Sequence, residues 1–172
     1  MHTATVSLDG LAEEHNYMRG NTRSFDNAVE AIRLMGAQPD FVFDVVTCVN
    51  RRNLKQLDQI KELLVELGVK EWRLFTIFPV GRAADDPMLQ LTKEEYRHLL
   101  DYIKQNRKSE KRITLSYACE GFLGNYEGDV RNRFYTCNAG VNIASVLVDG
   151  SISACTSVRS NYHQGNIYND DF

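Results

Sequence analysis

The chain reads as an α/β protein in which parallel strands joined by crossover helices give way to a small β-hairpin and loop module. Three observations lead there. Over the first two-thirds, short β-rich runs alternate with amphipathic helical stretches, the pattern of strand-helix-strand units. From about Glu120 the composition turns to glycine, asparagine and aromatic residues, and the alternation ends. Inside that second part, an Asp149-Gly150 turn lies between Cys137 and Cys155, with twelve residues from Cys137 to Gly150 and four more to Cys155.

Four strands are predicted, at Thr3 to Leu8, Phe41 to Val49, Trp72 to Phe78 and Ile113 to Tyr117. Three helices lie between them. The first starts at Ser24, turns Phe25, Val29, Ile32 and either Met35 or Ala28 to a core, and ends by Gly36 and Pro39. The second opens on Asn53 with Gln56 three residues later, and the third on Thr92 with Glu95, both resembling capping boxes. In the second, Leu54, Leu57, Ile60, Leu64 and Leu67 recur at helical spacing, and Gly68 follows as a C-terminal stop. Asp149-Gly150 suits a type I′ hairpin turn, which brings the Cys137 and Cys155 sulfurs toward each other.

With 172 residues, 43% hydrophobic and 25% charged, the chain is long enough to bury a sizeable core. Its net charge of -3 lacks the basic footprint of a nucleic-acid binder. No apolar run approaches the roughly 18 residues of a membrane span, and no signal-peptide pattern opens the sequence, so a cytoplasmic location is the expectation. In a reducing compartment four cysteines point to metal ligation before disulfides. Cys48 is the exception, since it sits in an apolar run and reads as a small core residue.

Ligands of parallel α/β folds collect at the carboxyl ends of the strands. The first strand delivers Ser7-Leu8-Asp9-Gly10, a hydroxyl and a carboxylate two residues apart, or equally the start of an Asx turn. Arg19, in His15 to Gly20, can return over the same mouth to hold a carboxylate, or pair with Glu13 or Glu14. Asn50 ends the second strand, as a ligand contact or as a cap for its own turn. Pro79 stops the third strand, and Gly81 allows close approach of a flat ring to the turn.

In order and spacing, Ser7-Leu8-Asp9-Gly10, His15 to Gly20, Ser24-Phe25, Asn50-Arg51-Arg52-Asn53 and Pro79-Val80-Gly81-Arg82-Ala83 resemble the middle and later part of a radical S-adenosylmethionine (radical SAM) enzyme. The hairpin resembles the start of the auxiliary-cluster module called SPASM, which opens with a cysteine, a spacer of about nine to fifteen residues, a glycine, four residues and a cysteine. Gly165-Asn166-Ile167 matches the segment that often follows. The resemblance implies a radical SAM partial (β/α)6 barrel segment over residues 1–118 and a SPASM-like module over 119–172.

It also implies a set of ligands. A catalytic [4Fe–4S] cluster and S-adenosyl-L-methionine yield a 5′-deoxyadenosyl radical that abstracts hydrogen from the substrate. Ser7 and Asp9 would lie at the ribose and methionine side, Arg19 near the carboxylate, Asn50 beside the same ligand, and Pro79 and Gly81 near adenine. Cys119, Cys137 and Cys155 would bind an auxiliary [4Fe–4S] cluster. The expected partners are a peptide or protein substrate and a reductant such as flavodoxin or ferredoxin.

The sequence departs from the family by containing neither the three-cysteine motif of the catalytic cluster nor the glycine-glycine-glutamate strand end. Met1-His2 runs almost directly into a strand, and Tyr168 to Phe172 reads as the first turn of a further element. The chain is therefore expected to be part of a longer enzyme and inactive alone. A second reading makes it a non-catalytic zinc-binding module using Cys119, Cys137, Cys155 and His163. A third, acid–base catalysis by Asp9 with His15, lacks a nucleophile and an orienting group.

Overall fold

A computed structural model of the chain describes residues 3–118, 121–155 and 163–170, without the side chain of Arg82. Among these residues, strands β1 (Thr3–Ser7), β2 (Val42–Val49), β3 (Glu71–Thr76) and β4 (Thr114–Tyr117) form a parallel sheet in the order β1-β2-β3-β4. Helices α1 (Ala12–Arg19) and α2 (Ser24–Gly36) connect β1 to β2, α3 (Leu57–Glu66) connects β2 to β3, and α4 (Lys93–Ser109) connects β3 to β4. The fold class is that read from the sequence, and the strands start and stop within about two residues of expectation.

One face of the sheet packs against the helices. Val45, Val49, Trp72, Leu74 and Leu115 meet Ile60, Leu64, Leu99 and Ile103 in a core from which water is excluded. The period of two along each strand turns the intervening residues to the other face. There Thr5, Asp44 and Arg73 bond to one another across three strands. Inside the core the Thr47 hydroxyl donates to the Leu8 carbonyl at 2.6 Å and accepts from Trp72 Nε1 at 2.8 Å, so both polar side chains are satisfied.

Thr92 and Glu95 form the capping box of α4. The box expected at Asn53 and Gln56 is absent, because both side chains are used elsewhere. The sequence also conceals α1, whose residues are mostly polar and which buries His15. Beyond β4, Leu123, Tyr126 and Val130 still pack on the main core, and the Tyr117 N–H donates to the Val130 carbonyl at 2.7 Å.

The small module holds β5 (Ser145–Val146), β6 (Ser151–Ser153) and β7 (Gly165–Asn166), antiparallel in that order. The turn between β5 and β6 is not type I′, since Gly150 (φ +83°) is alone in the left-handed region there and the Gly150 N–H returns to the Leu147 carbonyl. That is a type I turn with a glycine bulge, the usual three-residue solution. The Gly165-Asn166-Ile167 segment locks onto it: Ile167 N–H donates to the Gly150 carbonyl, and Asn166 Nδ2 to the Asp149 carbonyl. Among the described residues no helix is long and apolar enough to cross a membrane.

Candidate functional site

The carboxyl end of β1 is tied into a closed polar network. Asp9 is 1% exposed; Oδ1 accepts the Cys48 N–H at 2.9 Å, and Oδ2 lies 2.5 Å from Arg19 Nη2. Its main-chain N–H donates to His15 Nδ1 at 2.9 Å, and its carbonyl accepts from Asn53 Nδ2 at 2.7 Å. His15 therefore carries its proton on Nε2. Burial lowers its pKa below 6.5, against the upward pull of the Asp9 charge. An acid–base pair of Asp9 with His15 is overturned, since His15 faces a backbone amide and both Asp9 oxygens are engaged.

Asn50 and Asn53 are both fully buried and complete the network. Asn53 Oδ1 accepts the Asn50 N–H at 2.8 Å, and both Nδ2 groups reach the Cys48 carbonyl. Asn50 Oδ1 accepts the Arg52 N–H, the turn-capping role. Gln56 Oε1 meanwhile accepts the Leu11 N–H and holds the entry to α1. Arg19 finds Asp9, not Glu13 or Glu14; Glu14 pairs with Arg52 at 2.6 Å instead.

Beside this network opens a cleft of about 450 Å³, walled by Tyr17 and Met18 of α1 on one side and Ile77, Val80 and Ala83 on the other. Its size and mixed apolar lining suit a nucleoside-sized ligand. The Arg52 guanidinium stacks 3.8 Å over the Tyr17 ring, whose hydroxyl lies 3.2 Å from Asp86 Oδ2. Pro79 is exposed, and Gly81 (φ +59°) opens a short helical turn with open space around its Cα. Gly81 is thus required for its dihedral angle, and no part of the described chain crowds it. None of Ser7, Asp9, Arg19, Asn50, Pro79 and Gly81 lines the cleft itself. Asn50 touches Met18, which does, and Pro79 and Gly81 flank Val80. Ser7 pairs with Val46 in a row continuing to Arg73 and Ser116, on the face turned from the helices. Tyr17 and Met18, which sequence reasoning passed over, are marked only by the Gly20 stop of α1.

In the small module, Cys137 is exposed and Cys155 half-buried, while Cys119 lies outside the described residues. A Cβ on Gly140 would stand 3.5 Å from that of Ala154, so the chain three residues after Cys137 meets the neighbour of Cys155. A Tyr135 side-chain hydrogen bond and then the Ala139 N–H hold the Cys137 thiol below its ordinary pKa. Cysteine sulfurs are the donors that iron–sulfur clusters take. Among the described residues no three His, Cys, Asp or Glu side chains converge on a metal position, and His163 is exposed.

No protein-family model matches the chain. It is 31% identical over 116 residues to the AdoMet-dependent heme synthase of Methanosarcina barkeri, covering 67% of this chain and 32% of that protein. It is 28% identical over 171 residues to mycofactocin maturase MftC of Mycobacterium tuberculosis, covering 96% of this chain and 42% of that one. Streptococcus suis SuiB bound to its precursor peptide SuiA superposes with a TM-score of 0.61 at 12% identity, over 98% of this chain and 40% of SuiB. The chain thus spans less than half the length of each, and the SuiB likeness is one of fold.

Proposed function

We propose that the chain is of the radical SAM type that carries a SPASM module, and that it forms the S-adenosylmethionine cleft and the first part of an auxiliary iron–sulfur site in an enzyme that modifies a peptide. One observation carries the reading. Gly140, three residues after Cys137, meets Ala154, the neighbour of Cys155, beside a hairpin locked by Gly165-Asn166-Ile167, and the mouth of the parallel sheet holds a nucleoside-sized cleft.

Tyr17 and Met18 from α1, with Val80 and Ala83 opposite, take the adenine by apolar contact. Ser7 is assigned to the ribose and methionine side. The Arg19 guanidinium, with side chain 38% exposed, keeps donors for the methionine carboxylate beyond the one on Asp9. Asp9, Asn50 and Asn53 do not touch the ligand in this scheme; they fix the backbone that shapes its mouth. Cys119, Cys137 and Cys155 hold the auxiliary cluster. When bound, the cofactors supply hydrogen abstraction by a carbon radical, and the protein supplies position and exclusion of water.

These residues include no three-cysteine motif, so in this proposal the catalytic cluster rests on residues outside them. A peptide is favoured because SuiB, which shares the fold over 98% of this chain, is seen bound to a precursor peptide. The test is reductive cleavage: the gene product containing these residues, given S-adenosylmethionine and a strong reductant under anaerobic conditions, is expected to release 5′-deoxyadenosine. Absence of that product, in protein carrying its full complement of iron, would overturn the reading.

A further inference from the structure

After β4 and ahead of the small sheet lies a buried ion pair that neither the cleft nor the hairpin accounts for. The Glu127 side chain is 1% exposed and that of Arg131 10%. Glu127 Oε1 accepts the Leu123 N–H at 3.0 Å and lies 3.3 Å from Arg131 Nη2, while Oε2 accepts the Tyr135 N–H at 3.2 Å. Arg131 Nη2 also donates to the Gly121 carbonyl at 3.0 Å, and its guanidinium lies 5.7 Å from the Tyr117 ring and 5.5 Å from the Tyr135 ring. A single carboxylate thus joins two stretches of irregular chain twelve residues apart.

Energetics alone does not explain the arrangement. A buried ion pair roughly breaks even against well-packed apolar residues, because desolvation offsets its attraction. What it adds is direction: each oxygen accepts one backbone N–H, so the two stretches are held in one relative position. The consequence falls on Cys137, since Tyr135, whose N–H Glu127 holds, is two residues before it.

We propose that Glu127 and Arg131 are positioning residues for Cys137, setting the backbone at Tyr135 so that the Cys137 sulfur is presented to the auxiliary cluster. The inference rests on the iron–sulfur reading of that cysteine. Neither side chain touches the cluster in this proposal. They act as the outer support of a ligand, a role whose loss usually weakens metal binding by about 10- to 100-fold.

The experiment uses the anaerobically reconstituted gene product and compares Glu127→Gln, Cys137→Ala and the unaltered protein. Iron release to a chelator is timed, and amide exchange at Leu123 and Tyr135 is followed in the iron-free protein. Glu127→Gln is expected to release iron at least about 10-fold faster, with unchanged far-ultraviolet circular dichroism and faster exchange at both amides. Unaltered release alongside iron loss in Cys137→Ala would overturn the positioning role and leave the cluster intact as an idea. Full iron retention in Cys137→Ala would overturn the cluster reading itself. Should Glu127→Gln fail to fold, exchange in the unaltered protein decides: Leu123 and Tyr135 opening together supports the brace, and independent opening contradicts it.

Discussion

Arg19 reaches back from the end of α1 to Asp9, with Nη2 2.5 Å from a carboxylate that is 1% exposed. The other Asp9 oxygen holds the Cys48 N–H, so one side chain couples the first helix to the ends of two strands. Asp9→Asn keeps the size and an acceptor but loses the charge facing Arg19. Because Arg19 is partly solvated, the expected loss is about 1–3 kcal/mol, less than for a fully buried pair. Urea unfolding of Asp9→Asn and of Arg19→Gln measures it, and the double variant is expected to lose less than the sum.

His15 gives a pH dependence of known sign. Its folded pKa lies below the 6.5 of the exposed group, with burial as the leading cause. Stability from this site is therefore complete above about pH 6.5 and falls as pH drops toward the folded pKa, because the unfolded chain binds the proton first. His15→Asn, which retains an acceptor for the Asp9 N–H, is expected to remove that part of the slope. Urea midpoints at about pH 7 and pH 5 for both proteins provide the check.

Two glycines separate strain from crowding. Gly81 and Gly150 both have positive φ, at +59° and +83°. A Cβ at Gly81 meets open space, whereas one at Gly150 would lie 2.5 Å from the Tyr168 ring. Gly81→Ala should cost about 1–2 kcal/mol from the backbone alone. Gly150→Ala should cost clearly more and release β7 from the hairpin, read as loss of protection at the Ile167 amide.

The cleft offers a direct binding test. Val80→Trp is expected to fill space between the two walls and weaken S-adenosylmethionine binding by about tenfold or more, or about 1.4 kcal/mol. Val80 is 48% exposed, so the melting temperature should hardly change. Calorimetric titration of the two proteins separates the effects.

Much of the fold was legible because its strands are long apolar runs: Phe41 to Val49 and Trp72 to Phe78 leave few alternatives. The helix Ala12–Arg19 was not, because its one buried side chain is His15 and a polar helix has no apolar stripe to read. Asn53 and Gln56 have capping-box spacing, yet each bonds to residues distant in sequence, which local pattern does not encode. The candidate site was legible as a set of strand ends, while its wiring was not. Asp9 and Arg19 were both singled out, and the structure joins them to each other. Glu127 and Arg131 were invisible for a simple reason, namely that charges in a glycine-rich stretch are ordinarily solvated.

The most direct measurement is iron and sulfide per chain in the anaerobically reconstituted gene product, with and without Cys137→Ala and Cys155→Ala together. An auxiliary iron–sulfur site predicts broad absorbance near roughly 400 nm and loss of one cluster's worth of iron in the double variant. Unchanged iron and sulfide, or colourless protein carrying zinc, would contradict it.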